Sequence, residues 1–227
     1  MKHLFSAPRQ GTGTTYLLLA LAAWIGLAAE YPLSLLFETL FSLGTGDGTS
    51  VGGAEAPPAM LWAFASILWC ALAVLLARVS RNRGFSIMAK RDAPDTRSLL
   101  LCVSLLAVLV VTHLFSWGAP RATLELDSYG PALFALRCVY HLSVALLAAC
   151  LVAFAQHAAQ LWGLSNRMPW GGLLAAVLWG AAALLIGEGV PGMLTAFLSA
   201  FLFGVVYVLA WQNMRVAYPF IALLVIL

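Results

Sequence analysis

The stretch Pro131–Gly163, PALFALRCVYHLSVALLAACLVAFAQHAAQLWG, decides how the rest of the chain is read. It is one apolar run with no internal breaker, which predicts a helix roughly 48 Å long at about 1.5 Å per residue. That exceeds the roughly 30 Å hydrocarbon core of a bilayer, so the helix must tilt or project into the inner headgroups at its Gln156–Gln160 end. It also carries Arg137, Tyr140, His141, Gln156, His157 and Gln160. Polar groups within a span are costly and face a protein interior or a wet cavity, so the polar chemistry of the molecule is expected to gather around this helix.

Composition extends that reading to the whole chain. Hydrophobic residues make up 63% and charged residues 9%, with a mean hydropathy of +0.94. Soluble domains run about 45–50% apolar and about 25% charged. The chain is therefore expected to be all-α, a polytopic membrane helix bundle forming a single integral membrane domain over residues 1–227. The net charge of +3 is not a nucleic-acid signal, because the basic residues lie in loops where membrane orientation accounts for them. Cys70, Cys102, Cys138 and Cys150 fall inside expected spans without CxxC spacing and read as buried free thiols.

Outward from the long helix, expected at 131–162, the hydropathy places full spans at 15–36, 59–79, 98–118, 170–187 and 192–211, with a partial span at 216–227. The last run is short of the roughly 20 residues needed to cross. The basic start, apolar run and small residues near Ala28 also resemble a cleavable signal peptide. Gly44–Pro58, GTGDGTSVGGAEAPP, has linker composition, and Ser80–Arg97 is the most charged loop.

With a cytoplasmic N-terminus, the inner side receives Lys2, Arg9, Arg78, Arg81, Arg83, Lys90, Arg91, Arg97, Arg167 and Arg215, and the outer side only Arg121. The outer loops carry Asp47, Glu55, Glu125, Asp127 and Glu188. This Lys/Arg bias gives a multi-pass cell-membrane protein with the N-terminus inside. Small residues recur every four positions at Ala145/Ala149/Ala153, Gly172/Ala176/Gly180 and Ala196/Ala200/Gly204, which lets helix backbones approach closely. The first three spans lack this regularity and read as peripheral.

Arg137 and His141 share a helix face one turn apart. A carboxylate is the least costly partner for a charge in the membrane, so an ion pair of Arg137 with Glu30 or Glu38 is expected, with His141 as a hydrogen-bonding neighbour. Candidate catalytic residues are Glu30, Glu38, His113, His141 and His157. His113 and His141, on adjacent spans, are the candidates for holding haem or, with a glutamate, a metal. Their spacing does not require it, and no cofactor or metal is assigned. No Gly-rich phosphate loop, HExxH pair or GxSxG elbow is present. The only lysines, Lys2 and Lys90, lie outside the spans, which excludes a retinal-type Schiff base.

The last third, from Ala153, has a further pattern: WGGLLAAVLWGAAALL, then GMLTAFLSAFLFGVVYVLAWQNMRVAYPFIALL. An apolar helix leads into a Gly-containing helix ending in tyrosine, then a short turn with Asn and a final helix opening on a Pro-apolar pair. This rhythm resembles the CAAX-protease and bacteriocin-processing family of glutamic intramembrane proteases. The departures fall on that family's motifs. Where its EExxxR would lie, Gln156–His157 is the nearest polar pair and Leu161 stands in place of arginine. Its FxxxH falls on Trp179–Ala183 and its HxxxN near Ile221, with no histidine in either. Hydrolysis needs a titratable group within reach of the attacking water, so the resemblance implies a degenerate, non-proteolytic member. The expected function is a non-catalytic binding or scaffold protein, with membrane lipid, another membrane protein or a membrane-embedded peptide as partner and no nucleic acid. The alternatives are an active intramembrane peptidase with a displaced site and a haem- or metal-binding redox protein.

Overall fold

The computed structural model describes residues 11–44, 58–117 and 119–227, without the side chains of residues 38, 40–44, 58, 112, 113, 115–117 and 121. Among the described residues the chain is all-α: α1 (Gly13–Ala28), α2 (Glu30–Gly44), α3 (Pro58–Asn82), α4 (Thr96–Trp117), α5 (Arg121–Leu161), α6 (Trp170–Leu185), α7 (Gly189–Leu209) and α8 (Met214–Ile226). Four stretches are long and apolar enough to cross a membrane: Gly13–Phe37, Ala59–Asn82, Ala122–Leu161 and Gly189–Leu209. Thr96–Val111, Trp170–Leu185 and Met214–Ile226 are shorter apolar helices. The outward faces are apolar too: Leu18, Ile67, Leu100, Val108 and Leu198 are exposed. Continuous apolar surface of that kind belongs against lipid. The protein is an integral membrane helix bundle.

α5 is its axis. From Leu147 to Gln156 every residue is buried, as expected of a helix enclosed on all sides, and α1, α3, α6 and α8 pack around it. Because lipid tails are as apolar as leucine, helix association in a bilayer rests on close packing and hydrogen bonds rather than on expulsion from water. Small residues supply the packing: Ala145, Ala149 and Ala153 lie buried on α5. A methyl group built on Gly172 of α6 would sit 2.6 Å from the Gly204 Cα of α7.

Contrary to the sequence expectation, α1 and α3 are not peripheral. Tyr16, Ala20, Ala23 and Leu27 of α1 form a buried stripe, as do Trp62, Ala65, Trp69, Ala73 and Leu76 of α3. Their seams alternate large and small side chains at helical spacing, so no run of small residues announces them. Trp69 Nε1 ties the two helices together by donating to the Gly26 carbonyl at 2.8 Å. α4 is more loosely held, touching α7 and α8, and so is α2, which touches the edges of α1 and α3. α4 starts on Asp95, whose carboxylate accepts from the Ser98 N–H at 3.0 Å. Hydrogen bonds from the Ser98 side chain and backbone hold the Asp95 carboxyl below its ordinary pKa.

The two ends of the bundle differ in charge. At one end the Gly11 N–H bonds the Arg83 carbonyl, Arg91 bonds Gln212, Gln212 bonds the Asn166 carbonyl and Arg215 bonds the Met88 carbonyl. This basic end therefore gathers Gly11, just before α1, and the loops after α3, α5 and α7. Glu30, Glu125 and the α6–α7 turn with Glu188 lie at the opposite end.

Candidate functional site

The backbone of α5 reverses near its start. Gly130 has φ 72 and ψ 168, a region open essentially to glycine alone, and Pro131 follows with its φ already set for a first helical turn. The Gly-Pro pair therefore ends one short helix, 121–129, and begins the long one at Pro131. The short helix lies back along the long one. Tyr129 meets the Trp62 ring edge-on at 5.1 Å between centroids, and the Arg137 guanidinium lies over the same indole at 4.5 Å.

That reversal brings Glu125 onto the polar face of the long helix. Its Oε2 is 3.0 Å from His141 Nε2 and its Oε1 is 3.7 Å from Arg137 Nε. With Glu125 ionised, the carboxylate only accepts hydrogen bonds, and His141 Nε2–H is then the donor. The side chains of Arg137 and Glu125 are 18% and 11% exposed. The Arg137 charge is further sheltered by the Trp62 face and by the Tyr140 ring at 5.0 Å. Among the described residues Arg137 Nε is buried without a hydrogen-bond partner, so what holds it there is charge and ring contact.

Among the described residues the carboxylate that meets Arg137 is Glu125, rather than Glu30 of the expected pairing with Glu30 or Glu38. Glu30 opens α2 and instead accepts a hydrogen bond from the Tyr140 hydroxyl. The Tyr140 ring rests on Trp69. Glu38 and His113 lie on α2 and α4, but their side chains are outside the described residues. α4 packs on α7 and α8, and among the described residues no three His, Cys, Asp or Glu side chains group as a metal site. Hydropathy alone places Glu125 in an outer loop. The signal that could have found it is Gly130–Pro131, a dipeptide that marks a turn.

His141 lies about 30 Å along α5 from Leu161, so the second polar group, Gln156–Gln160, sits at the far, basic end. Gln156 is fully buried, and its amide is used at both atoms: Oε1 accepts from the Gly171 N–H at 3.1 Å and Nε2 donates to the Met168 carbonyl at 3.0 Å. The side chain thereby satisfies one of the orphan N–H groups in the first turn of α6. His157 stacks on Phe85 with ring centroids 4.0 Å apart and meets Tyr16 edge-on. Gln160 donates to Gln212 Oε1 at 2.7 Å. Trp211 and Gln212 both adopt left-handed backbone, φ 56 and 58, held by that bond and by Asn213, whose Nδ2 donates to the Arg91 and Asp92 carbonyls.

The acidic end thus offers a carboxylate–imidazole pair that can move a proton, and the basic end a set of amides that fasten loops. No family model, curated protein or solved structure matches the chain, so no relative supplies a role for these residues.

Proposed function

We propose that this protein is a non-catalytic binding or scaffold protein of the cell membrane, whose polar centres hold the bundle together rather than hydrolyse a substrate. In this reading it is a degenerate relative of the CAAX-protease and bacteriocin-processing family, and its partner is another membrane protein or a membrane-embedded peptide. The observation that carries the reading is Gln156. It stands where that family places a catalytic glutamate, and both of its amide atoms are committed to the backbone at the start of α6. Beside it His157 lies against Phe85 and Tyr16, and Trp179–Ala183 and Ile221 onward contribute no titratable side chain. The gathering of Arg83, Arg91 and Arg215 at one end supports a cytoplasmic placement of that end and of the N-terminus.

A second reading, an intramembrane peptidase with a displaced centre, is favoured by the Glu125–His141 contact, which is the geometry of a general acid–base pair. Incubating the reconstituted protein with a membrane-embedded peptide reporter separates the two. The scaffold reading expects the reporter to remain intact. Cleavage that disappears in Glu125→Gln would establish the second reading instead.

A further inference from the structure

Between α3 and α5, close to the basic end, lies a cavity of about 330 Å³. It exists because the facing positions are small: Ala73 and Ala77 on α3 and Ala149 on α5 present only methyl groups. With Leu146 and Met214 they make its wall apolar. A methylene is similar in size to a water, roughly 30 Å³, so the space takes on the order of ten methylenes.

The exposed side of the cavity has the opposite character. Arg78 and Arg81 line it, three residues apart on one helix face and both exposed. Among the described residues neither has a carboxylate or hydrogen-bond partner. Arg215, through its bond to the Met88 carbonyl, holds another lining residue. Along α3 the lining thus runs from alanine to paired guanidiniums, apolar toward the bundle middle and cationic toward its end. A membrane phospholipid has that same polarity, with acyl chain inward and phosphate at the interface, and the guanidinium fork matches a phosphate in geometry as well as charge.

We propose that this cavity is a binding site for an acidic phospholipid, one acyl chain lying against Ala73, Ala77 and Ala149 and the phosphate held between Arg78 and Arg81. The site is independent of the scaffold reading, since it shares no residue with Glu125–His141 or with Gln156–His157. A zwitterionic lipid carries the same phosphate but cancels its charge, so the two arginines select for net negative headgroups.

The test uses the full chain reconstituted in phosphatidylcholine vesicles containing a trace of spin-labelled phosphatidylglycerol or spin-labelled phosphatidylcholine with identical chains. The motionally restricted fraction should report a preference of roughly 10–30-fold for phosphatidylglycerol at low salt, from the attraction of two basic residues. Arg78→Gln/Arg81→Gln should abolish that preference, and Arg78→Lys/Arg81→Lys should retain most of it. Ala77→Phe, which fills the cavity, should release the restricted lipid, and glycerophosphate without acyl chains should not displace it. Equal restriction of both lipids, or a preference unchanged in the double glutamine variant, would overturn the proposal. Displacement by glycerophosphate at matched concentration would also overturn it, by showing a free-anion site with no use for the cavity. Both arginines are exposed, and unpaired among the described residues, so the glutamine variant carries the test even if Ala77→Phe does not fold.

Discussion

His141 Nε2 lies 3.0 Å from Glu125 Oε2, although Glu125 precedes it by sixteen residues within the same helical element. An unbroken helix would separate them by about 24 Å. The contact therefore depends on the reversal at Gly130, where φ 72 and ψ 168 are closed to side-chain-bearing residues. Gly130→Ala is expected to destabilise the protein by about 1–3 kcal/mol, read as a lower unfolding midpoint in detergent. An unchanged midpoint would show that the short helix 121–129 is not held back against the long one.

The Arg137–Glu125 pair is mostly buried, and removing one partner leaves the other charge uncompensated. Glu125→Gln should cost up to about 3 kcal/mol, while Glu125→Gln/Arg137→Met should recover most of that loss, because replacing both members of a buried pair is often close to neutral. Unfolding midpoints of both variants and of Arg137→Met close the double-mutant cycle. Additive losses would mean that the two side chains do not interact. Glu30→Gln, which keeps an acceptor for Tyr140, should have the smaller effect.

Glycines of the α6 ridge should differ among themselves. At Gly172 an added methyl would stand 2.6 Å from both the Gly204 Cα and the Phe201 carbonyl oxygen, backbone atoms that cannot turn aside. Gly172→Ala should therefore cost about 1–3 kcal/mol by overpacking. At Gly180 the nearest atoms, in Met193 and Phe197, are 3.5 Å away, an ordinary contact, so Gly180→Ala should be neutral or slightly stabilising. Equal thermal stability of the two variants would place the α6–α7 seam elsewhere.

Orientation is open to labelling. With the basic end cytoplasmic, a cysteine introduced at Arg83 should react with an impermeant maleimide only after permeabilisation, and one introduced at Asp127 should react in intact cells. Both positions are exposed, and the experiment starts from a variant in which Cys70, Cys102, Cys138 and Cys150 are replaced. The reverse pattern would invert the topology.

Class and axis were legible in the sequence because both rest on local signals. Apolar length and the Ala145–Ala149–Ala153 repeat identify a central membrane helix without knowledge of its neighbours. The seams of α1 and α3 were hidden because Tyr16 and Trp69 interleave with alanines, a pattern that one helix alone does not distinguish from a lipid-facing surface. The polar cluster was half legible. Helical spacing puts Arg137 and His141 on one face, but it points to carboxylates on other spans rather than to Glu125, which precedes them in the same element. Hydropathy averages over windows and is insensitive to a single positive-φ glycine, so a nine-residue polar helix beside Gly130–Pro131 registers as a loop. The partners of Gln156 are hidden for a related reason: a buried amide and an exposed one are the same letter until the chain after Leu161 returns and offers the Met168 carbonyl and the Gly171 N–H.

The central claim is that these polar groups are structural, and the most direct measurement is single-turnover cleavage of a membrane-embedded peptide reporter by excess protein in nanodiscs, followed by mass spectrometry. The wild type, His157→Ala and Glu125→Gln should all leave the reporter intact. Defined cleavage by the wild type that is lost in His157→Ala, or in Glu125→Gln with the bundle still folded, would contradict the account and locate the chemistry at the basic or the acidic end of α5 respectively.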